Sequence, residues 1–339
     1  MRMLPLSSAA VAGAAVALAV LPPAAFASGT PGAPGASSFT ITDPRIKESS
    51  GLAASRIHPG VYWTHNDSDD GPYVYGVDSA TGRTVARVTL TGIGKPRDVE
   101  AISLGPDGQL YVGDIGDNLN GTWDHVWIYR FEEPKELADV TVKATQFTVR
   151  YADGPRNAEA LMVHPVTGRV YIASKDESKG GLYEGPAELS TGSANVFRRV
   201  AAVPWVTDGA FSPDGTRLTL RGYFLARTYP WKDGRPEGEG ERVDAPWQGQ
   251  AESVTYTPDG RTLMFGAEGE GSRVVAVPVP AATPSPSASA SASAAPGAPG
   301  ASSAAEPPGS FAKGAAVLAV AFALVFAAKR LLRRRGPAA

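Results

Sequence analysis

Pro96-Arg97-Asp98-Val99-Glu100-Ala101-Ile102 nearly repeats as Pro155-Arg156-Asn157-Ala158-Glu159-Ala160-Leu161. Each stretch is followed four residues later by a proline, Pro106 or Pro165, and then by a glycine turn. A period of roughly fifty residues marks an array of similar β units, each too small to bury its own apolar face and stacked so that neighbours bury it together. The repeat also places a carboxylate at one structural position, copy after copy. Its first message is architectural.

Outward from this pair, the recurring unit is an acidic start, an apolar alternating strand, a tight turn and a second strand. It runs from Glu100 to Gly108 and then Leu110-Tyr111-Val112, and from Glu159 to Gly168 and then Val170-Tyr171-Ile172. Weaker copies run from Asp208 to Gly215 and then Leu218-Thr219-Leu220, and from Glu252 to Gly260 and then Leu263-Met264-Phe265. A divergent first copy leads from Ser50-Gly51-Leu52 to Gly60 and then Val61-Tyr62-Trp63. Three of the turns are Pro-Asp-Gly (106–108, 213–215, 258–260), in which proline presets its own φ and glycine takes the left-handed conformation.

No helical periodicity interrupts residues 39–280. Five copies, each with room for four strands, predict an all-β fold: a β-propeller of five blades, or six if the segment 222–250 hides a degenerate blade. A β-sandwich is the alternative, and it accounts poorly for the repeats. The last copy has no fourth strand of its own. Phe39-Thr40-Ile41-Thr42 is expected to supply it, pairing the two ends of the domain and removing exposed edges.

The flanks read differently. Residues 1–27 have the form of a secretory signal peptide: Arg2, an apolar run from Ala9 to Val20, and an Ala25-Phe26-Ala27 cleavage site. Residues 28–38 are a linker, and 281–310 are a disordered stalk of Ala, Ser, Pro and Gly with Glu306 as its only charge. The octapeptide Pro-Gly-Ala-Pro-Gly-Ala-Ser-Ser occurs in both. Residues 311–332 carry an apolar run long enough, with its flanking residues, for one transmembrane helix. The basic tail 333–339, together with Lys329 and Arg330, orients it with the C-terminus in the cytoplasm. The expectation is a single-pass cell-membrane protein with its propeller outside.

The chain has no cysteine, so disulfide staples, thiol nucleophiles and thiolate metal sites are excluded. Its net charge of −2 averages unlike parts. Seven of the 32 basic residues but only one of the 34 acidic ones lie in the terminal segments, so the domain between them is distinctly acidic. That argues against nucleic acid or anionic lipid as a partner of the domain.

In a propeller the first strand of each blade lines the central channel. The second strand returns antiparallel, so first-strand starts and second-strand ends meet at one mouth, with the Pro-Asp-Gly turns on the opposite face. This places Asn66, Asp67, Asp98, Glu100, Asp114, Glu159, Asp208 and Glu252 at the mouth as ligand or metal candidates. Arg97, Lys175 and Arg221 are the candidates for meeting an anion. Converging carboxylates repel unless cations or protons compensate, and hard oxygen donors without His or Cys suit Ca²⁺ first. Two structural readings stand beside the metal: each Glu pairs with a basic neighbour of its own, Arg97 and Arg156 standing three residues before Glu100 and Glu159, or each caps backbone amides between blades. His65 is the one candidate general base; His58 and His164 are expected as exposed turn residues, and His125 as peripheral packing. No Gly-x-Ser-x-Gly elbow or phosphate loop occurs.

Ser49-Ser50-Gly51-Leu52, Trp63-Thr64-His65-Asn66-Asp67, Asp98-Val99-Glu100 and Gly113-Asp114-Ile115-Gly116-Asp117-Asn118 carry a resemblance to extracytoplasmic bacterial WD40-like β-propellers. More distantly, the chain is similar to phytase-like and gluconolactonase-type propellers. Gly-His and a closing Trp-Asp do not recur in each copy, so the protein-scaffold role of true WD40 repeats does not carry over. Two functions remain open. One is a binding module for a cell-surface ligand or protein, with Trp205, Trp231 and Trp247 as aromatic platforms. The other, implied by the resemblance, is a Ca-dependent hydrolase of phosphoesters or lactones. Enzyme or binder is undecided at this level.

Overall fold

The computed structural model describes residues 36–279 apart from positions 69 and 120. The expected signal peptide, most of the linker, the stalk, the transmembrane helix and the basic tail lie outside the described residues. Within them every regular element is a strand. No helix among them is long and apolar enough to cross a membrane.

The chain begins with β1 (Phe39–Thr40) and then forms an antiparallel meander of β2 (Ala53–Ala54), β3 (Val61–Thr64), β4 (Tyr73–Asp78) and β5 (Thr84–Thr91). A second meander comes next: β6 (Val99–Leu104), β7 (Gln109–Asp114) and β8 (Val126–Glu132). Then β9 (Val140–Lys143) reaches back to pair in parallel with β5, and β10 (Thr145–Tyr151) returns to complete the second unit. The third unit is β11 (Ala158–Val163), β12 (Val170–Ser174), β13 (Gly181–Glu184) and β14 (Asn195–Ala202). A short parallel pairing of β14 with β10 joins the second and third units into one eight-stranded sheet.

The fourth unit holds β15 (Asp208–Phe211), β16 (Arg217–Arg221) and β17 (Ala226–Lys232), with β18 (Arg235–Pro236) and β19 (Glu241–Val243) on its outer edge. The last is β20 (Ser253–Tyr256), β21 (Thr262–Gly266) and β22 (Arg273–Pro278). Its fourth strand is β1, paired antiparallel with β22 through Phe39↔Val274 and Thr40↔Arg273. The two ends of the domain therefore share one sheet, and β22 has no open edge.

The apolar residues explain why the units stack. Each unit supplies alternate side chains to a layer shared with the next. Ile102, Val112 and Tyr129 pack with Trp63, Val74 and Val88, while Phe147 and Ile128 pack with Leu161, Ile172 and Phe197. Met162, Ala173 and Leu182 pack with Phe211, Leu218 and Leu220; Ala226 and Val243 pack with Val254 and Phe265. A last layer sets Phe39, Met264 and Val274 against Leu52, Tyr62 and Val77. At roughly 1.5–3 kcal/mol per fully buried large side chain, these layers are the main favourable contribution to folding. The innermost strands follow suit: β2 touches β6, β6 touches β11, β11 touches β15, β15 touches β20, and β20 touches β2. The result is an all-β arrangement of curled sheets consistent with a propeller.

The turns at the far ends of the inner strands are built alike. Gly108, Gly215 and Gly260 have φ of 73°, 72° and 69°, where an L side chain would be strained. Asp107, Asp214 and Asp259 each accept the N–H two residues on. His164 departs from its expected exposure. It is buried beside one of these turns, with Nε2 3.1 Å from the Gly215 carbonyl and its ring edge-on to Phe211.

Candidate functional site: the charged end of the inner strands

Five equivalent register pairs set the site. Ser49 faces Asn66, Val99 faces Asp114, Ala158 faces Ser174, Asp208 faces Arg221, and Ser253 faces Gly266. First-strand starts and second-strand ends thus lie together. The two glutamates of the sequence repeat have a further feature in common. The β6–β7 register shifts between Val99 and Ala101, and the β11–β12 register shifts between Ala158 and Ala160. Glu100 and Glu159 are the extra residues of two β-bulges, the device that re-aims a side chain out of the regular alternation.

Asp67, Asp98 and Glu100 bring one carboxylate oxygen each within 4.8 Å of one another. Ser50 Oγ donates to Glu100 Oε2 at 3.0 Å, and Asn118 Nδ2 donates to Asp98 Oδ2 at 2.8 Å. Gly116 closes the back of this group: a Cβ there would lie 2.6 Å from Asp98 Oδ2 and 2.7 Å from Glu100 Oε1. Burial, then the Asp98 carboxylate, pushes Asp67 well above the usual range. Burial, then Asp67, Glu159 and Asp98, does the same to Glu100. The cause in both is the cost of crowding negative charge away from water.

Glu159 has different company. Lys175 Nζ donates to its Oε1 at 2.5 Å and its Oε2 at 2.6 Å. Burial still outweighs the attraction and pushes Glu159 up to about 8. Lys175 is held well above its ordinary value; burial opposes this, but Glu159, Glu252, Tyr223 and Glu100 together prevail. Its ammonium lies 5.6 Å from the Trp205 ring centroid and 5.4 Å from that of Tyr223. Tyr223 donates its hydroxyl to Glu252 Oε1 at 2.7 Å, and Trp205 meets Tyr223 edge-on at 4.8 Å. Tyr223 was not singled out in the sequence, because it comes after the strand and outside the repeat signature.

Other candidates have contacts of another kind. Asp114 accepts the N–H groups of Arg97 and Asp98 and the Tyr129 hydroxyl at 3.1, 2.9 and 2.6 Å. Asp208 accepts the N–H groups of Gly209 and Val254, both at 2.7 Å, tying the fourth unit to the fifth. Amide capping is therefore real at the aspartates rather than at the repeated glutamates. Asn66 bridges the Lys47, Glu48 and Arg45 backbone and Asp70. Arg221 is 1% exposed and donates to the Ser253 and Gly266 carbonyls and to Gln248; burial lowers it to about 10. Arg97 lies 4.0 Å from the Trp123 centroid and 3.8 Å from that of Trp127, and donates to the His125 carbonyl. Arg156 goes to Asp153 and the rings of Tyr151 and Tyr183. Neither arginine pairs with the glutamate three residues after it. His65 is buried, with Nδ1 on the Asn66 carbonyl and Nε2 without a partner among the described residues; burial lowers it to about 4 and keeps it neutral.

Toward the opposite end, the same inner strands turn apolar. Leu52, Ile102, Leu104, Val163, Phe211 and Tyr256 help to line a cavity of about 220 Å³, with Pro165, Pro213 and Pro258 at the turns. No carboxylate lines it.

No known protein-family profile matches the chain. No curated protein matches it. Among solved structures it is similar to a PQQ-bound aldose sugar dehydrogenase from Streptomyces coelicolor, with 13% identity over 72% of this chain and 99% of that one, at a TM-score of 0.43. A mitotic checkpoint complex chain shows 15% identity over 67% of this chain and 60% of its own, at 0.37. A Kuenenia stuttgartiensis hydrazine synthase chain shows 12% over 65% and 61%, at 0.38. These likenesses are too remote to carry an argument about activity.

Proposed function

We propose that the chain is a membrane-anchored, extracytoplasmic, five-bladed β-propeller that acts as a binding module for a cell-surface ligand. The blade count rests on five shared apolar layers and five inner strands that touch in sequence. The anchor and export signal rest on residues 1–27 and 311–335 of the sequence. The observation that carries the binding reading is the convergence of Glu159, Lys175, Tyr223 and Glu252 beside the half-buried ring of Trp205. Polar groups of both signs beside an aromatic face are what a recognition site needs. The test is co-sedimentation of the full-length chain with purified cell-envelope polymer. Retention that falls in the Glu100→Gln/Glu159→Gln double variant supports the reading; no retention, or retention unchanged in the variant, removes it.

A second reading, a Ca-dependent hydrolase of phosphoesters or lactones, is favoured by one observation. Asp67, Asp98 and Glu100 offer hard oxygen donors within 4.8 Å, and Asp67 Oδ1 has no partner among the described residues. These donors suit Ca²⁺, which would neutralise the crowded charge and polarise a bound ester oxygen. Arg97 and Arg221 are held by rings and carbonyls, and Lys175 by both oxygens of Glu159, so an anionic substrate would have to draw Lys175 from that pair. Thermal melting of the full-length chain with added Ca²⁺ decides it. A rise in Tm that vanishes in Glu100→Gln supports a metal; no rise removes this reading.

A further inference from the structure

We infer that the surface bordered by Trp205 and Tyr223, next to Glu252, takes a neutral, hydroxyl-rich ring, that is, a carbohydrate. This deepens the binding-module reading and rests on it for the location of the site. Three observations converge. Trp205 and Tyr223 are half-buried and Phe224 is 46% exposed, so aromatic surface borders the charged end on the side of the fourth unit. Tyr223 is edge-on to both Trp205 and Phe224, at 4.8 and 6.4 Å, which holds the group in one arrangement. Glu252 is 5% exposed, and its Oε2 has no partner among the described residues while its Oε1 is taken by Tyr223. A buried carboxylate oxygen without a donor is costly, and a ligand hydroxyl would remove that cost.

The charges select the ligand class. An anion would meet Glu159 and Glu252, and the Lys175 ammonium beside them is already held by both oxygens of Glu159. A cation would meet Lys175, which already lies beside the Trp205 and Tyr223 rings. What satisfies both neighbours is a neutral group with donors for Glu252 and an apolar face for Trp205. A pyranose has both: C–H bonds along one face and hydroxyls round its edge. Aromatic faces supply large contact area at small entropic cost, and the carboxylate fixes orientation.

The test is titration of the full-length chain with maltose, cellobiose and lactose, followed by calorimetry and tryptophan fluorescence. Glucose 6-phosphate and tetramethylammonium serve as anionic and cationic controls. Binding of at least one neutral disaccharide and of neither control is expected. Trp205→Ala and Glu252→Gln should each weaken it by about tenfold or more. Trp205→Phe, which keeps a ring, should retain most of the affinity and shows that loss in the alanine variant is not unfolding. No neutral disaccharide bound, tetramethylammonium bound in preference, or affinity unchanged in both Trp205→Ala and Glu252→Gln would overturn the inference. Envelope retention that depends on Glu100 and Glu159 but not on Trp205 or Glu252 would also overturn it while leaving the binding module standing. A disaccharide bound through Trp205 with no envelope retention would uphold it and remove the cell-surface reading instead.

Discussion

Pro96–Ile102 and Pro155–Leu161 open equivalent strands with nearly the same residues and the same β-bulge, yet their glutamates keep opposite company. Glu100 faces Asp67 and Asp98; Glu159 is held by Lys175. The arginines in the two stretches do not cause the difference, since each turns away to aromatic rings. The cause lies in the loop after the second strand. β7 ends at Asp114 and leads through Gly116 to Asn118, whereas β12 ends at Ser174 and leads straight to Lys175. A repeat sets where a carboxylate stands. The non-repeated loop beside it sets which charge state that carboxylate can hold.

The comparison can be broken most forcefully at Lys175. Lys175→Met should leave Glu159 buried without its cation and, above about pH 8 where that carboxyl is ionised, cost about 3–5 kcal/mol, read as a fall in the denaturant midpoint. Glu159→Gln added to that variant should recover much of the loss, because the stranded charge is gone. Equal loss in the single and double variants would mean that Lys175 acts through packing. At the other glutamate, Gly116→Ala should cost about 1–3 kcal/mol, because its Cβ meets Asp98 and Glu100 oxygens and one carboxylate must shift. A neutral result there would show that the triad is looser than the contacts imply.

A pH series sharpens the comparison further. Asp67, Glu100 and Glu159 are all raised above their ordinary values, so the folded chain binds more protons than the unfolded chain above about pH 4.5. Their contribution to stability is full below that and is lost as pH rises, for Glu159 through about 8. His65 has the opposite sign: its value falls from 6.5 to about 4, so its contribution is lost as pH drops through that window. The melting temperature should therefore peak on the acid side of neutrality and decline towards pH 8. Glu159→Gln should flatten the decline, and a melting curve unchanged by that substitution would contradict the assignment. At Glu100 itself, Glu100→Gln near pH 8 should raise the melting temperature, because it removes a buried carboxylate and its repulsion with Asp67. A loss of stability instead would mean that Glu100 is held by an attraction not yet identified.

Much of the fold was legible because repetition needs no side-chain detail. The acidic starts, apolar alternation and Pro-Asp-Gly turns located the inner strands, and the missing fourth strand after Val279 pointed to Phe39-Thr40, which pairs there. The site was legible in position and less so in role. Asp114, Asp208 and Arg221 stand at the expected end, but backbone amides and carbonyls take up their polar atoms. Several of those partners, Val254 and Ser253 among them, lie on a neighbouring strand, so no local pattern announces them. Tyr223 and the burial of His164 were invisible for the same reason.

What the sequence by itself determined is periodic: an all-β array, its turn chemistry, and a carboxylate at the start of one inner strand after another. Period, turn and alternation are local properties, written in spacing. Only the tertiary structure decided that Glu100 joins Asp67 and Asp98 while Glu159 joins Lys175, and that Glu252 keeps an oxygen free beside an aromatic edge. Those outcomes depend on distances between residues tens of positions apart in the chain, which stacking creates and spacing does not encode.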